Sequence, residues 1–161
     1  MMKKSKVHKT QTGFTLIELI VVIVILGVLS ATALPRFLNA SSSARAASLK
    51  GLVGAMNSAI VLTHAQYMIA GGSPATVTMD GGVVVNMANG YPDASASGIG
   101  AAVSGATNAS AYTPTYTGTT SSTWSAVGSA TPASCIFTYT AATAGPPVVS
   151  ASVSTPNTSG C

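Results

Sequence analysis

Residues 14–34 read FTLIELIVVIVILGVLSATAL, an almost unbroken apolar run closed by Pro35. As a helix, these residues would extend about 31 Å at 1.5 Å per residue, close to the thickness of a bilayer's hydrocarbon core. One acid, Glu18, interrupts the run. A carboxylate at membrane depth costs on the order of 3 kcal/mol at a helix centre and less near an end, so a segment that keeps one has a use for it. The competing reading leaves Glu18 protonated, or snorkelling to the headgroups.

The surrounding composition agrees with a chain that meets lipid or other copies of itself. Of 161 residues, 47% are hydrophobic and only 6% charged, against about a quarter charged in a typical soluble domain. Lys3, Lys4, Lys6 and Lys9 precede the apolar run, and the remaining basic residues, Arg36, Arg45 and Lys50, are matched by Glu18, Asp80 and Asp93. The net charge of +4 therefore belongs to the first 13 residues. These lysines favour a cytoplasmic N-terminus, opposed in part by Arg36 and Arg45. After Lys50 there is no Lys or Arg, which leaves nothing to neutralise phosphates and argues against nucleic-acid binding. A secretory signal cleaved after Ala33 competes, since Ala31-Thr32-Ala33 resembles its small-residue site. The apolar run is longer than the usual core of such a signal, and a disposable signal has no use for Glu18.

Beyond Pro35, Leu49, Val53, Met56, Ile60 and Thr63 recur at three- and four-residue steps and predict an amphipathic helix that stops at Gly71-Gly72-Ser73-Pro74. A helix from Phe14 to Ala70 would be about 85 Å long. Such a rod cannot be covered by the small domain that follows it, so its first half needs lipid or sister molecules. Gly27 and Pro35 are its weak points, costing about 1 and 3 kcal/mol relative to Ala. The expectation is local melting between them in a filament and a kink at Pro35 in the isolated subunit. Gly51 and Gly54 read as close-packing positions for a sheet laid on the helix.

From Ser73 onward the pattern changes to short β-rich pieces, Thr76–Met79, Val83–Met87, Thr123–Val127, Ile136–Thr140 and Val148–Val153. The Ala/Ser/Thr/Gly-rich stretch from about Asp93 to Ser134 reads as loop with some edge strand. A four- or five-stranded antiparallel sheet packed on the C-terminal half of the helix is the economical α+β solution. Cys135 and Cys161 in an exported chain point to one disulfide, worth about 3 to 3.5 kcal/mol in the chain-entropy model. Unpaired thiols in a cytosolic protein are the alternative.

Gly13-Phe14-Thr15-Leu16-Ile17-Glu18, following a Lys-rich leader and opening a hydrophobic helix, resembles the processing site of type IV prepilins and type II secretion pseudopilins. The resemblance implies a pilin fold. It also implies cleavage between Gly13 and Phe14 by a membrane-embedded aspartyl peptidase, which methylates the amine of Phe14. Independently of the family, cleavage creates an ammonium at Phe14 one helical turn from the Glu18 carboxylate. In low dielectric these opposite charges offset much of each other's desolvation. The family implies that Glu18 of an incoming subunit meets the Phe14 amine of its neighbour and sets axial register. On this reading residues 1–13 are a leader, 14–34 a membrane and filament-core helix, 35–72 the amphipathic half of the helix, and 73–161 a β-rich head.

A narrower resemblance, to the mannose-sensitive haemagglutinin group of type IVa pilins, rests on three stretches. These are Pro35-Arg36-Phe37-Leu38-Asn39, Leu52-Val53-Gly54-Ala55-Met56-Asn57, and the closing Cys135…Cys161 pattern. It implies a major pilus subunit used in attachment and biofilm formation. The implied partners are other copies in a helical filament, the peptidase/methyltransferase, inner-membrane assembly machinery, the membrane before assembly, and a surface or glycan receptor. The implied location is the inner membrane for the precursor, with its C-terminus periplasmic, and an extracellular pilus after assembly.

No catalytic set is visible: His64 stands alone after the leader, and Asp80 and Asp93 are not a spaced carboxylate pair. No metal site or cofactor motif is visible either. Asn39, Asn108 and Asn157 open glycosylation sequons of a kind frequent by chance in a Ser/Thr-rich chain. Tyr112, Tyr116 and Trp124 read as core or subunit-contact residues, with an adhesive aromatic patch as the alternative. The functional alternatives are a type II secretion pseudopilin and a secreted binding protein released after Ala33.

Overall fold

The computed structural model describes residues 13–144 and 150–161. The residues fall into two compact units, 1–40 and 41–161, and one helix, α1 (Leu16–Ile69), runs through both. Among the described residues of the first unit, nothing packs on α1. Its apolar side chains from Leu16 to Leu29 are exposed, and this is a helix long and apolar enough to cross a membrane. The helical backbone continues through both Gly27 and Pro35.

In the second unit, the three- and four-residue spacing becomes a buried stripe of Leu49, Leu52, Met56, Ala59, Ile60 and Thr63.

 The stripe faces the sheets, and Thr63 satisfies its buried hydroxyl by donating to the carbonyls of Ala59, at 2.7 Å, and Ile60. Val53 is half-buried beside this stripe. Gly51 and Gly54 correct the expectation. Both are exposed, and a Cβ on either would meet nothing within 4 Å, so they do not receive the sheet. The helix ends at Gly71 and Gly72, both at positive φ, whose N–H groups bond back to Met68 and Tyr67 in the pattern of a Schellman cap.

Two antiparallel sheets follow, where one was expected. The first has the order β1 (Thr76–Thr78), β2 (Val84–Ala88), β3 (Tyr91–Pro92), and the second β4 (Tyr112–Thr117), β5 (Ser121–Ala126), β6 (Ile136–Thr140), β7 (Ser152–Val153). The strands expected at Thr76, Val83, Thr123 and Ile136 are present within two residues of their predicted bounds. Residues 148 and 149 of the last one lie outside the described residues. The stretch from Asp93 to Ser134 is more ordered than its composition indicates. It contains β4, β5 and a single helical turn, α2 (Ile99–Ala102). Strand β4 carries Pro114 in its middle and pairs only with β5, the edge position where a missing N–H is tolerated. The β2–β3 turn at Asn89-Gly90 has positive φ at both residues, as a two-residue type I′ hairpin requires.

Strand alternation sends Trp124, Phe137 and Tyr139 into the core and leaves Thr113, Thr115 and Thr117 in solvent. Trp124 stacks on Phe137 and meets Tyr116 edge-on, each at 5.7 Å, and its indole N–H donates to the Ala106 carbonyl at 3.0 Å. The Tyr139 hydroxyl donates to the Pro92 carbonyl. Burial first, and then the nearby Asp93 charge, push the Tyr139 phenol up and keep it a donor. Across the β4–β5 pair, the Tyr116 and Ser122 hydroxyls are buried without a hydrogen-bond partner. Burial pushes the Tyr116 phenol up as well.

Trp124→Ala should lower the unfolding free energy by about 3 to 5 kcal/mol, read from denaturant unfolding of the detergent-solubilised chain. Tyr116→Phe, which removes an unpartnered hydroxyl, should leave stability unchanged or raise it by about 1 kcal/mol in the same assay.

Candidate functional site

The chain enters α1 through Gly13, Phe14 and Thr15, and both Gly13 and Phe14 are exposed. The site is therefore an accessible peptide bond followed directly by a helix. Residues 1–12, the Lys-rich start of the sequence, lie outside the described residues. Glu18, in the first turn, accepts hydrogen bonds at Oε2 from the Thr15 backbone N–H, at 2.9 Å, and from the Thr15 hydroxyl, at 2.7 Å. The Glu18 N–H returns a bond to the Thr15 hydroxyl at 3.3 Å. This reciprocal arrangement is a capping box, and it satisfies donors that a helix start would otherwise leave open.

The signal for that cap, a Thr followed three residues later by Glu ahead of an apolar run, is present in the sequence. Reading Glu18 only as a charge in a dry setting leaves Thr15 out. The cap changes what the carboxylate can do. Both bonds fall on one oxygen, and a carboxylate has two, so Glu18 can hold its own helix end while receiving a cation. An amine freed at Phe14 would lie at the positive end of the helix dipole, where a cation is disfavoured unless an anion stands nearby.

Residues 8–34 fit the family described as the prokaryotic N-terminal methylation motif. That match covers 27 of the 161 residues. The motif places Gly13, Phe14 and Glu18 in one contiguous element with the exposed apolar helix. The chain is also 44% identical over 54 residues to the type IV narrow pilus major component PilA5 of Thermus thermophilus. That match covers 34% of this chain and 47% of the relative, so the chain spans about half the length of the curated relative it matches. No solved structure matches the chain.

In the second unit, Cys135 and Cys161 are joined by a disulfide with their Cα atoms 4.8 Å apart. Arg45, which sequence reasoning counted only as a charge, donates from Nη1 to the Cys161 carbonyl at 2.8 Å. The disulfide loop is thus held to α1 as well as to β6. No sequence signal joins residues 116 positions apart, so this contact was not legible.

His64 packs against the first sheet. Its ring stacks on Tyr91 at 4.3 Å and its Nδ1 hydrogen-bonds the Gly90 carbonyl, which fastens the β2–β3 hairpin to α1. Asp93 is buried and accepts from the Ser95 N–H and hydroxyl, ordering the turn that leads into α2. Asp80 instead accepts from the Gly81 N–H in the β1–β2 connection. Among the described residues, no group of three His, Cys, Asp or Glu side chains could hold a metal ion. Trp124 is fully buried and Tyr116 packs against it, while the half-buried Tyr112 shares a hydrogen bond between its hydroxyl and Ser48. Trp124 is a core residue, and Tyr112 and Tyr116 are half-buried against the rest of the head, so the three rings are not presented together as one exposed patch.

Cys135→Ser should lower the unfolding free energy by about 3 kcal/mol, and adding reductant to the unaltered chain should reproduce most of that loss.

Proposed function

We propose that this chain is the major structural subunit of a type IV pilus. It is made as an inner-membrane precursor with residues 35–161 on the periplasmic side, cut between Gly13 and Phe14, methylated on the Phe14 amine, and polymerised into a surface filament that mediates attachment and biofilm formation. The observation that carries this reading is the unpartnered apolar helix of the first unit, which begins within the methylation motif at an exposed Gly13–Phe14 bond. The named relative, a pilus major component, supports it over a third of the chain.

The mechanism follows from the charges. Before cleavage Phe14 is an ordinary amide-linked residue, and Glu18 serves only its Thr15 cap. Cleavage exchanges that amide for an ammonium. In the membrane, Glu18 is then the nearest counter-charge in the sequence. During assembly, Glu18 of an incoming subunit pairs with the Phe14 amine of the subunit already in place, so an axial slip by a helical turn leaves two buried charges unmatched. That penalty makes the pair a register device. Gly27 and Pro35 give the helix a segment that can melt as it leaves lipid for the filament core. The processing partner is the peptidase/methyltransferase, and the assembly machinery lies in the inner membrane.

N-terminal sequencing of the mature chain should begin at N-methylated Phe14; a start at Leu34 would replace this reading with a secreted binding protein. Sheared surface fibres should contain the chain, whereas a type II secretion pseudopilin would be missing from that fraction. Glu18→Ala should leave insertion and cleavage intact while fibre yield collapses. Normal yield from that variant would remove the electrostatic account.

A further inference from the structure

The sheet of β4 to β7 has two unlike faces. The inner one carries Trp124, Phe137 and Tyr139 into the core that includes the buried stripe of α1. The outer one is built almost wholly of hydroxyls. Along β4 every second residue, Thr113, Thr115 and Thr117, is an exposed threonine. Antiparallel pairing keeps directly opposed residues on one face, and it sets Thr113 opposite Ser125, Thr115 opposite Thr123 and Thr117 opposite Ser121. The rows continue onto β6, where Thr138 lies opposite Thr123 and Thr140 opposite Ser121, and Ser152 of β7 extends the last of them. Of these positions only Ile136, opposite Ser125, lacks a hydroxyl.

Charge and spacing select the occupant of this face. From Ala94 to Cys161 there is no Asp, Glu, Lys, Arg or His, so no ion of these strands holds a hydration shell of its own there. Strands lie about 4.8 Å apart, and alternate residues about 6.8 Å apart along a strand. Water hydrogen-bonded tetrahedrally, with oxygens about 2.75 Å apart, repeats at about 4.5 Å in one direction and about 7.3 Å at right angles to it. The misfit is about 0.5 Å or less per step, which a rotating hydroxyl can take up over three rows. Twist turns each strand by about 20° from the next, which limits the register to β4, β5 and β6. Each threonine also sets a methyl beside its hydroxyl, an apolar wall against which water keeps its own network. A sugar polymer would ask for rings to stack on its faces, and Trp124, Phe137 and Tyr139 are buried on the other side. Pro114 withholds an N–H from the free edge of β4, which discourages a further strand from adding there.

We propose that the outer face of β4, β5 and β6 binds ice: its hydroxyl rows hold a layer of ordered water that joins the lattice of a growing crystal. The face acts in a single chain and does not need the filament. A fibre that repeats it would add the avidity of many weak contacts made at once.

The test uses the full chain held singly in lipid nanodiscs. Ice is grown slowly on a cooled probe dipped in the solution, and the chain in the ice is measured against the chain left in the liquid, with empty nanodiscs as the baseline. The unaltered chain should be enriched in the ice. Thr115→Lys and, separately, Thr117→Lys should fall to the baseline, because a charge orders water around itself and out of register with the lattice. Ser58→Lys places the same charge on the exposed side of α1 and should keep the enrichment. All three positions are exposed, so the head of each variant should melt as in the unaltered chain. No enrichment of the unaltered chain, or enrichment that survives both β4 variants, overturns the proposal, and so does binding to microcrystalline cellulose in place of ice. Fibre formation is a separate outcome: a chain that enters ice but builds no pili removes the filament reading alone.

Discussion

The constraint on which the rest depends is the need to cover the apolar helix between Phe14 and Leu34. Its side chains are exposed along the first unit, and the run is too hydrophobic to remain in water. Two environments can receive it, lipid and other helices of the same kind, and moving between them costs little in hydrophobic energy because both are apolar. Directional specificity must then come from polar groups. Glu18 is the only acid there, and its capping box with Thr15 holds it at the helix start, beside the bond whose cleavage would supply the complementary charge.

The long helix was legible because its signals are local: an unbroken apolar run, then a three- and four-residue period, then paired glycines. The strands at Thr76, Val83 and Ile136 were legible for the same reason. The Asp93–Ser134 stretch was not, because its order comes from distant partners. Strand β4 is made by pairing with β5 in spite of Pro114, and the turn before α2 is organised by a buried Asp93 that the sequence presents as one more loop acid. The stretch around Gly13 and Phe14 falls within residues 8–34, which fit the methylation motif. Its cap was equally present in the sequence but is visible only when Thr15 and Glu18 are considered together.

Gly51 and Gly54 show how a local signal can mislead. Their spacing indicates close approach, and nothing local says to what. The own-sheet reading is natural for a helix with one known partner, but the buried stripe runs through Leu49, Leu52 and Met56 and leaves the glycines on the far side. Only the inner face of the helix is thus answered within the chain.

The outer face of β4 has a physical consequence of its own. Thr113, Thr115 and Thr117 present hydroxyls in place of charges, and no Lys or Arg occurs after Lys50. A fibre built from such heads would have little Coulomb repulsion with which to keep parallel strands apart, and ionic strength would have little to screen. Lateral bundling of such a fibre would then be governed by hydration of hydroxyl surfaces and would be nearly indifferent to the saltiness of the surrounding water.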